Sequence, residues 1–245
     1  PRSTRKESSA ASDVYKRQAL IIPIYASDVD GDELTFTATS DSPEDVDIEI
    51  EILESVTVTD YDGNVYETVE IGEQVWMKEN LKVTHYNDGS EIPTGYSNSE
   101  WSNLSTGAYA VYDGNESNAD IYGYLYNWYA LETGNLAPEG WHVPTDEEWA
   151  VLKNFITNEG YTGIEGNALK EIGYQHWNDD GNPDHEGLDM YGFTGLPSGY
   201  RYDSGYYTSM GFNGYFWSST EYDNYDCLLY TSDAADDSLR VDLGG

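Results

Sequence analysis

Cysteine occurs once in the 245 residues, at position 227. Between residues 19 and 226 there is none, which excludes disulfides, thiolate metal sites and cysteine nucleophiles from that segment. Basic residues are scarce as well: 11 Lys and Arg stand against 46 Asp and Glu, a net charge of −35. A surface of that sign repels nucleic acid phosphates and anionic membranes, so neither is expected as a partner. Long apolar runs are missing. No stretch approaches the ~20 residues a membrane span needs, and no transmembrane segment is expected. GxSxG and Walker-type patterns are absent too, and no Ser-His-Asp arrangement is visible, so no catalytic residue is assigned. What the chain has in abundance is aromatic rings: 7 Trp, 23 Tyr and 5 Phe. That content argues against a solvated acidic tail and for a packed core.

The two ends are set apart by their coding potential. Ser12 to Gln18 back-translates to a DNA stretch whose reverse complement, one base out of frame, encodes Cys227 to Asp233. PRST at the start and VDLG near the end extend the same inverted repeat. The pair resembles a sequencing-library adapter translated at both ends, so residues 1–18 and 227–245 are expected to lie outside the native fold. The ends hold six basic and six acidic residues, which leaves five and 40 in 19–226. A secretion signal upstream of such an end would not be visible.

Residues 19–54 read as strands. LTFTAT (34–39) and VDIEIEI (46–52) alternate with period two. The acidic turn ASDVDGDEL (26–34) resembles turns of cadherin-like and Ig-like extracellular sandwich repeats, so 19–54 is expected to be a β-sandwich remnant. Asp28, Asp30 and Asp32 supply oxygens suited to Ca2+, or simply a solvated hairpin turn. Residues 56–83 predict three strands separated by DGN and IGEQ turns. YGYLYNWYALE (122–132) has apolar residues at three- and four-residue steps and predicts one short helix. In GWHVPTDEEW (140–149), Thr145 and Glu148 have capping-box spacing, with Asp146 and Glu147 in the first turn. Trp149, Leu152, Phe155 and Ile156 then form one apolar stripe of a helix ending near Gly160. The carboxylates there start a helix, and His142 is expected to pack or make one hydrogen bond. From 163 to 226, glycines at short intervals between Tyr, Phe and Trp predict tight hairpins.

The order of blocks DYDGNVYETVEIGEQVWMKENLKV, YGYLYNWYAL, APEGWHVPTDEEWAVL, LKEIGYQHW, GFTGLPSGYR and YFWSSTE resembles the Fibrobacter succinogenes major paralogous domain, over about residues 56–226. The resemblance implies an α+β, C-type-lectin-like fold, related in outline to sulfatase-modifying factors, whose PTEAEW motif PTDEEW echoes. It implies an extracellular or cell-surface location, lipid-anchored in the full-length protein. It carries no ligand across. Two departures matter: Ala137 stands where the family usually has cysteine, and the family continues past WSSTE into further strands. The domain is therefore expected to be truncated at its C-terminus, with an unpaired sheet edge.

Two candidate sites emerge. In the loop HWNDDGNPDHEGLDMYGF (176–193), Asp179, Asp180, Asn182 and Asp184 around Gly181 offer oxygens for Ca2+, or form a solvated acidic loop. C-type-lectin-like folds commonly carry Ca2+ in such loops, and no other cofactor is expected. Zinc at His176 and His185 is weaker, since they stand nine positions apart in a loop with no helical pairing. The second candidate is aromatic: Tyr200, Tyr202, Tyr206, Tyr207, Phe212, Tyr215, Phe216 and Trp217. Phe216 and Trp217 read as core, while Tyr202, Tyr206 and Tyr207 are expected to be exposed and to bind ligand. The function expected is a non-catalytic recognition module for polysaccharide or a surface protein, working through Gly/Tyr-rich loops. The alternatives are an acidic structural domain without a small ligand, or an uncharacterised hydrolase.

Overall fold

A computed structural model describes residues 56–221 and the backbone of 227–232 and 240–243. The expected sandwich remnant at 19–54, with Asp28, Asp30 and Asp32, lies outside the described residues. So does the segment 1–18.

The first element is an antiparallel sheet of β1 (Thr57–Thr59), β2 (Val65–Ile71) and β3 (Gln74–Met77). This is the strand-turn-strand-turn-strand order expected for 56–83. Its first turn is built on Asp60, a buried carboxylate that would be costly without partners. Asp60 accepts from the Asn64 amide at 2.9 Å, the Asn64 side chain at 2.8 Å and the Tyr66 hydroxyl at 2.6 Å. On the core face, Trp76 of β3 stacks on Trp149, ring centroids 4.6 Å apart.

The middle of the chain is irregular, with α1 (Asn98–Trp101), β4 (Tyr109–Ala110), α2 (Glu116–Tyr122), β5 (Leu125–Tyr126) and α3 (Trp128–Glu132). The single helix expected at 122–132 is not there. Gly123 takes φ 69° and a Cβ on it would sit 2.7 Å from the Leu81 carbonyl oxygen, so the chain turns at Gly123. Leu125 and Tyr126 then pair with Tyr109 and Ala110 as strands. Asn127 restarts a helix, its side-chain oxygen accepting from the amides of Ala130 (3.1 Å) and Ala108 (2.9 Å).

Helix α4 (Asp146–Ile156) starts where the capping box placed it. Thr145 Oγ1 accepts from the Glu148 amide at 3.2 Å, and Glu148 Oε2 accepts from the Thr145 amide at 2.8 Å. His142 makes one hydrogen bond, Nε2 to Glu148 Oε1 at 2.8 Å. Trp149, Leu152 and Ile156 bury one stripe against Ile71, Trp76, Leu169 and Phe193. The helix ends in a wider turn at Thr157–Tyr161, in which Gly160 has φ 103°, followed by α5 (Glu165–Leu169). A second core gathers Val83, Tyr86, Ile92, Tyr126, Leu131 and Leu136. Mixed short sheets and helices of this kind make an α+β fold.

The last sheet has five strands in the order β10-β9-β8-β6-β7, from β6 (Ser198–Arg201), β7 (Tyr207–Met210), β8 (Asn213–Trp217), β9 (Cys227–Ser232) and β10 (Arg240–Leu243). β6 runs parallel to β8 and the other pairs are antiparallel. The edge of β8, expected to be open, is paired: β9 lies along it with Tyr215 opposite Tyr230 and Trp217 opposite Leu228. Strand pairing asks for an extended backbone, which the β-formers Tyr230 and Thr231 favour. An unsatisfied row of N–H and C=O groups on β8 favours such a partner.

Candidate functional site

The hairpin β6–β7 decides which aromatic rings face outward. Tyr200 pairs with Thr208 and Arg201 with Tyr207, and the Tyr202 amide donates to the Tyr206 carbonyl at 2.8 Å. Side chains alternate along a strand, so Tyr200 and Tyr202 share one face and Arg201 takes the other. The tip is tight. Gly205 has φ 84°, and a Cβ there would meet the backbone of Asn98 at 2.4 Å. In the parallel register Gly199 lies beside Gly214, which brings Tyr215 next to Tyr200. The result is a row of rings: Tyr202 to Tyr200 at 4.5 Å and Tyr200 to Tyr215 at 4.4 Å, centroid to centroid. Tyr202 and Tyr206 are 47% and 65% exposed, and Phe212 in the next turn is exposed too.

The other face of the hairpin is fastened down. The Arg201 guanidinium lies 4.2 Å over the Trp101 ring and 4.9 Å over Tyr207. Its Nε donates to the Gly205 carbonyl and its Nη2 to the Tyr96 carbonyl, both at 2.9 Å. Tyr207 also packs on Tyr112, centroids 5.2 Å apart. Burial pushes the Tyr207 phenol above its ordinary value, and the facing cation only partly opposes this. Tyr207, expected to stand exposed with Tyr202 and Tyr206, is half-buried on the opposite side. Tyr206 and Tyr207 are successive residues entering a strand, so period two alone separates them. Tyr200 and Tyr215, which sequence reading left in the general aromatic set, join the row instead. The signal for them was the Gly199 and Gly214 register, which no single segment shows. Phe216 and Trp217 pack on the two cores, as expected.

Residues 69–232 match the Fibrobacter succinogenes major domain. The chain belongs to this family. The match covers more than half of the 245 residues and extends through β9, whereas the reading from sequence ran from 56 to 226. No curated protein and no solved structure matches the chain. Within this major domain, two of the quoted blocks dock on each other. The Asp146 amide, at the start of α4, donates to Thr220 Oγ1 at 3.0 Å, and the Ser218 hydroxyl donates to the Asp146 carboxylate. Trp149 Nε1 donates to the Trp217 carbonyl at 3.1 Å, and the Ser219 amide to the Pro144 carbonyl at 2.8 Å. Ser218 has no exposed surface at all. PTDEEW and YFWSST thus act as scaffold.

The acidic loop of the major domain turns its carboxylates on itself. Asp179 Oδ1 accepts from the Gly181 amide at 2.7 Å, and Asp180 Oδ1 from the Asn182 amide at 2.9 Å. Asp180 Oδ2 holds His185 Nδ1 at 2.7 Å, and Asn182 Nδ2 lies 3.0 Å from His185 Nε2. The Asn182 amide first, then His185, hold the Asp180 carboxyl below its usual range. The backbone of Asp184 lies within the tight turn Pro183–His185. Among the described residues, no group of three or more His, Cys, Asp and Glu converges as a metal site. His176 is paired separately, Nδ1 to Glu171 Oε1 at 2.8 Å. A residue that sequence reading missed anchors the loop. Lys170 is only 2% exposed, donates to the His185 carbonyl at 2.9 Å and lies 4.2 Å over the Trp177 ring. Its signal was weak, because a lysine in LKEIGYQHW reads as a solvated charge.

Proposed function

We propose that this major domain is a non-catalytic recognition module, secreted or held at the cell surface, whose ligand is a polysaccharide. The carrying observation is the tyrosine row, Tyr202, Tyr200 and Tyr215, flanked by exposed Tyr206 on a hairpin clamped from behind by Arg201. Tyrosine offers a large contact area at low entropic cost, with a hydroxyl for polar ligands. A surface fixed before the ligand arrives loses less on binding than a mobile loop does. We read the domain as C-type-lectin-like in outline, following a sandwich unit at 19–54, and lipid-anchored in the longer protein.

Calcium has a place in this reading as a loop-ordering ion at Asp179, Asp180, Asn182 and Asp184, or at Asp28, Asp30 and Asp32. In the first loop it would have to compete with Asn182 and His185 for Asp180. A melting temperature that rises in Ca2+ and falls in EDTA supports it, and an unchanged value removes it.

The test of the reading is retention of the whole chain on a panel of immobilised polysaccharides, set beside Tyr202→Ala and Tyr206→Ala. Loss of one stacking ring of about 1.4 kcal/mol corresponds to a tenfold weaker Kd. No retention on any polymer sinks the reading in favour of a structural acidic domain, and equal retention of wild type and both variants removes the tyrosine row as the binding surface.

A further inference from the structure

We propose that Asn115 is a modification site, the acceptor of an N-linked glycan. This goes beyond the recognition reading. It needs the location outside the cytoplasm but not the polysaccharide ligand. Asn-x-Ser, with x other than proline, is the pattern an oligosaccharyltransferase reads. It occurs twice, as Asn103-Leu104-Ser105 and as Asn115-Glu116-Ser117. The sequence pattern treats the two alike, and the structure separates them.

Asn115 sits on a projecting bend. Asp113 and Gly114 take φ 52° and 63° in succession, and a Cβ on Gly114 would meet no atom within 4 Å. Every residue from Asp113 to Ser117 is exposed. The bend is anchored at its base, where Tyr112 packs on Tyr207 and its carbonyl accepts from the Asn118 side chain at 3.1 Å. Asn115 Oδ1 accepts from the Ser117 amide at 3.3 Å, so the side-chain oxygen is the atom turned inward. Among the described residues, nothing hydrogen-bonds Asn115 Nδ2, the Ser117 hydroxyl or the Asp113 carboxylate. These are the groups a transferase has to hold: the nucleophilic nitrogen, the hydroxyl two positions after it, and a charge two positions before it that an arginine can pair. Asn103 is closed by comparison. Its Nδ2 donates to the Ser99 carbonyl at 2.7 Å and lies 3.4 Å from Ser102 Oγ. Two positions before it stands Trp101, buried under the Arg201 guanidinium. Drawing residues 101–105 into an enzyme would undo the clamp on the hairpin.

The donor is a polyprenyl-pyrophosphate-linked oligosaccharide, brought by the transferase. Asn115 Nδ2 attacks C1 of the sugar next to the pyrophosphate. The Nδ2–C1 bond forms as the C1–O bond breaks. The pyrophosphate leaves with the electron pair, and one Nδ2 proton passes to a base of the transferase. Nothing is oxidised or reduced.

The experiment places the full chain behind a secretion leader in cells that carry a bacterial oligosaccharyltransferase and its lipid-linked oligosaccharide. Intact-mass and glycopeptide mass spectrometry read the product. Expected is a mass increase of a single glycan, mapped to Asn115. Asn115→Gln and Ser117→Ala should each abolish it, Asp113→Ala should lose most of it, and Asn103→Gln should leave it unchanged. Ser117→Ala guards against a folding effect, because the bond to Asn115 Oδ1 uses the Ser117 backbone amide and survives the change. A wild-type chain left unmodified beside a control acceptor glycosylated in the same cells overturns the proposal. So does a glycan that sits on Asn103 or survives Ser117→Ala. Failure here is distinguishable from failure of the polysaccharide reading, since one assay reads covalent mass and the other reads retention on a polymer.

Discussion

Tyr206 and Tyr207 are neighbours of one residue type, yet they live in different solvents. Tyr206 is 65% exposed, while Tyr207 is wedged between the Arg201 cation and Tyr112. The peptide bond between them divides the hairpin into a face that is available and a face that is structural. Composition cannot see that division. It follows from strand alternation, and its consequence is that mutations one residue apart should act on different observables.

Arg201→Ala should have the largest effect. It removes the cation between Trp101 and Tyr207 and leaves the carbonyls of Gly205 and Tyr96 without a donor. A cost of about 3 kcal/mol is expected, a fall in Tm of roughly 6–12 °C for a domain of this size. Circular dichroism melting measures it, and a shift below a third of that would mean the clamp is ornamental. Tyr207→Ala should cost about 2 kcal/mol by the same assay, from lost packing. Its phenol adds a pH signature. The folded value is raised, so this contribution is complete below the ordinary tyrosine range near 10 and is lost as pH rises through the folded value.

A change remote from both faces calibrates the scale. Thr145→Ala removes the cap of α4 at about 1 kcal/mol. Burial raises the Glu148 carboxyl, but the Thr145 amide and His142 outweigh it, and the net direction is down. Stability from Glu148 is therefore complete above its ordinary range and declines as pH falls through the lowered folded value. Denaturant midpoints between pH 7 and pH 3 should show that acid limb, flattened in His142→Ala, which removes one of those two partners. Smallest in stability are Tyr202→Ala and Tyr206→Ala, expected within about 0.5 kcal/mol of wild type. A large fall in Tm for either would place it with Tyr207 and break the comparison.

Local signals were legible in the sequence, and meetings between segments were not. Thr145 and Glu148 announced a helix start because a capping box is complete within four residues. The three strands of 56–83 announced themselves through their turn residues. The break at Gly123 was hidden, because Tyr124, Leu125 and Trp128 fit a helical stripe while the reason for turning is a carbonyl of Leu81, far away in sequence. Lys170 was hidden because its partners, His185 and Trp177, come from the loop it anchors. Of the tyrosine row, Tyr202 and Tyr206 were found by composition. Tyr200 and Tyr215 required the parallel register of β6 on β8. Tyr207 was misassigned for want of counting by twos.

The clasp of Ser218 and Thr220 on Asp146 joins positions up to 74 residues apart. A helix start secured by the far end of a strand cannot form independently of that strand's alignment, so the two choices become one. Amide protons at the head of α4 and along β8 should then exchange with deuterium through a shared opening event, slowing or quickening together whenever either is perturbed.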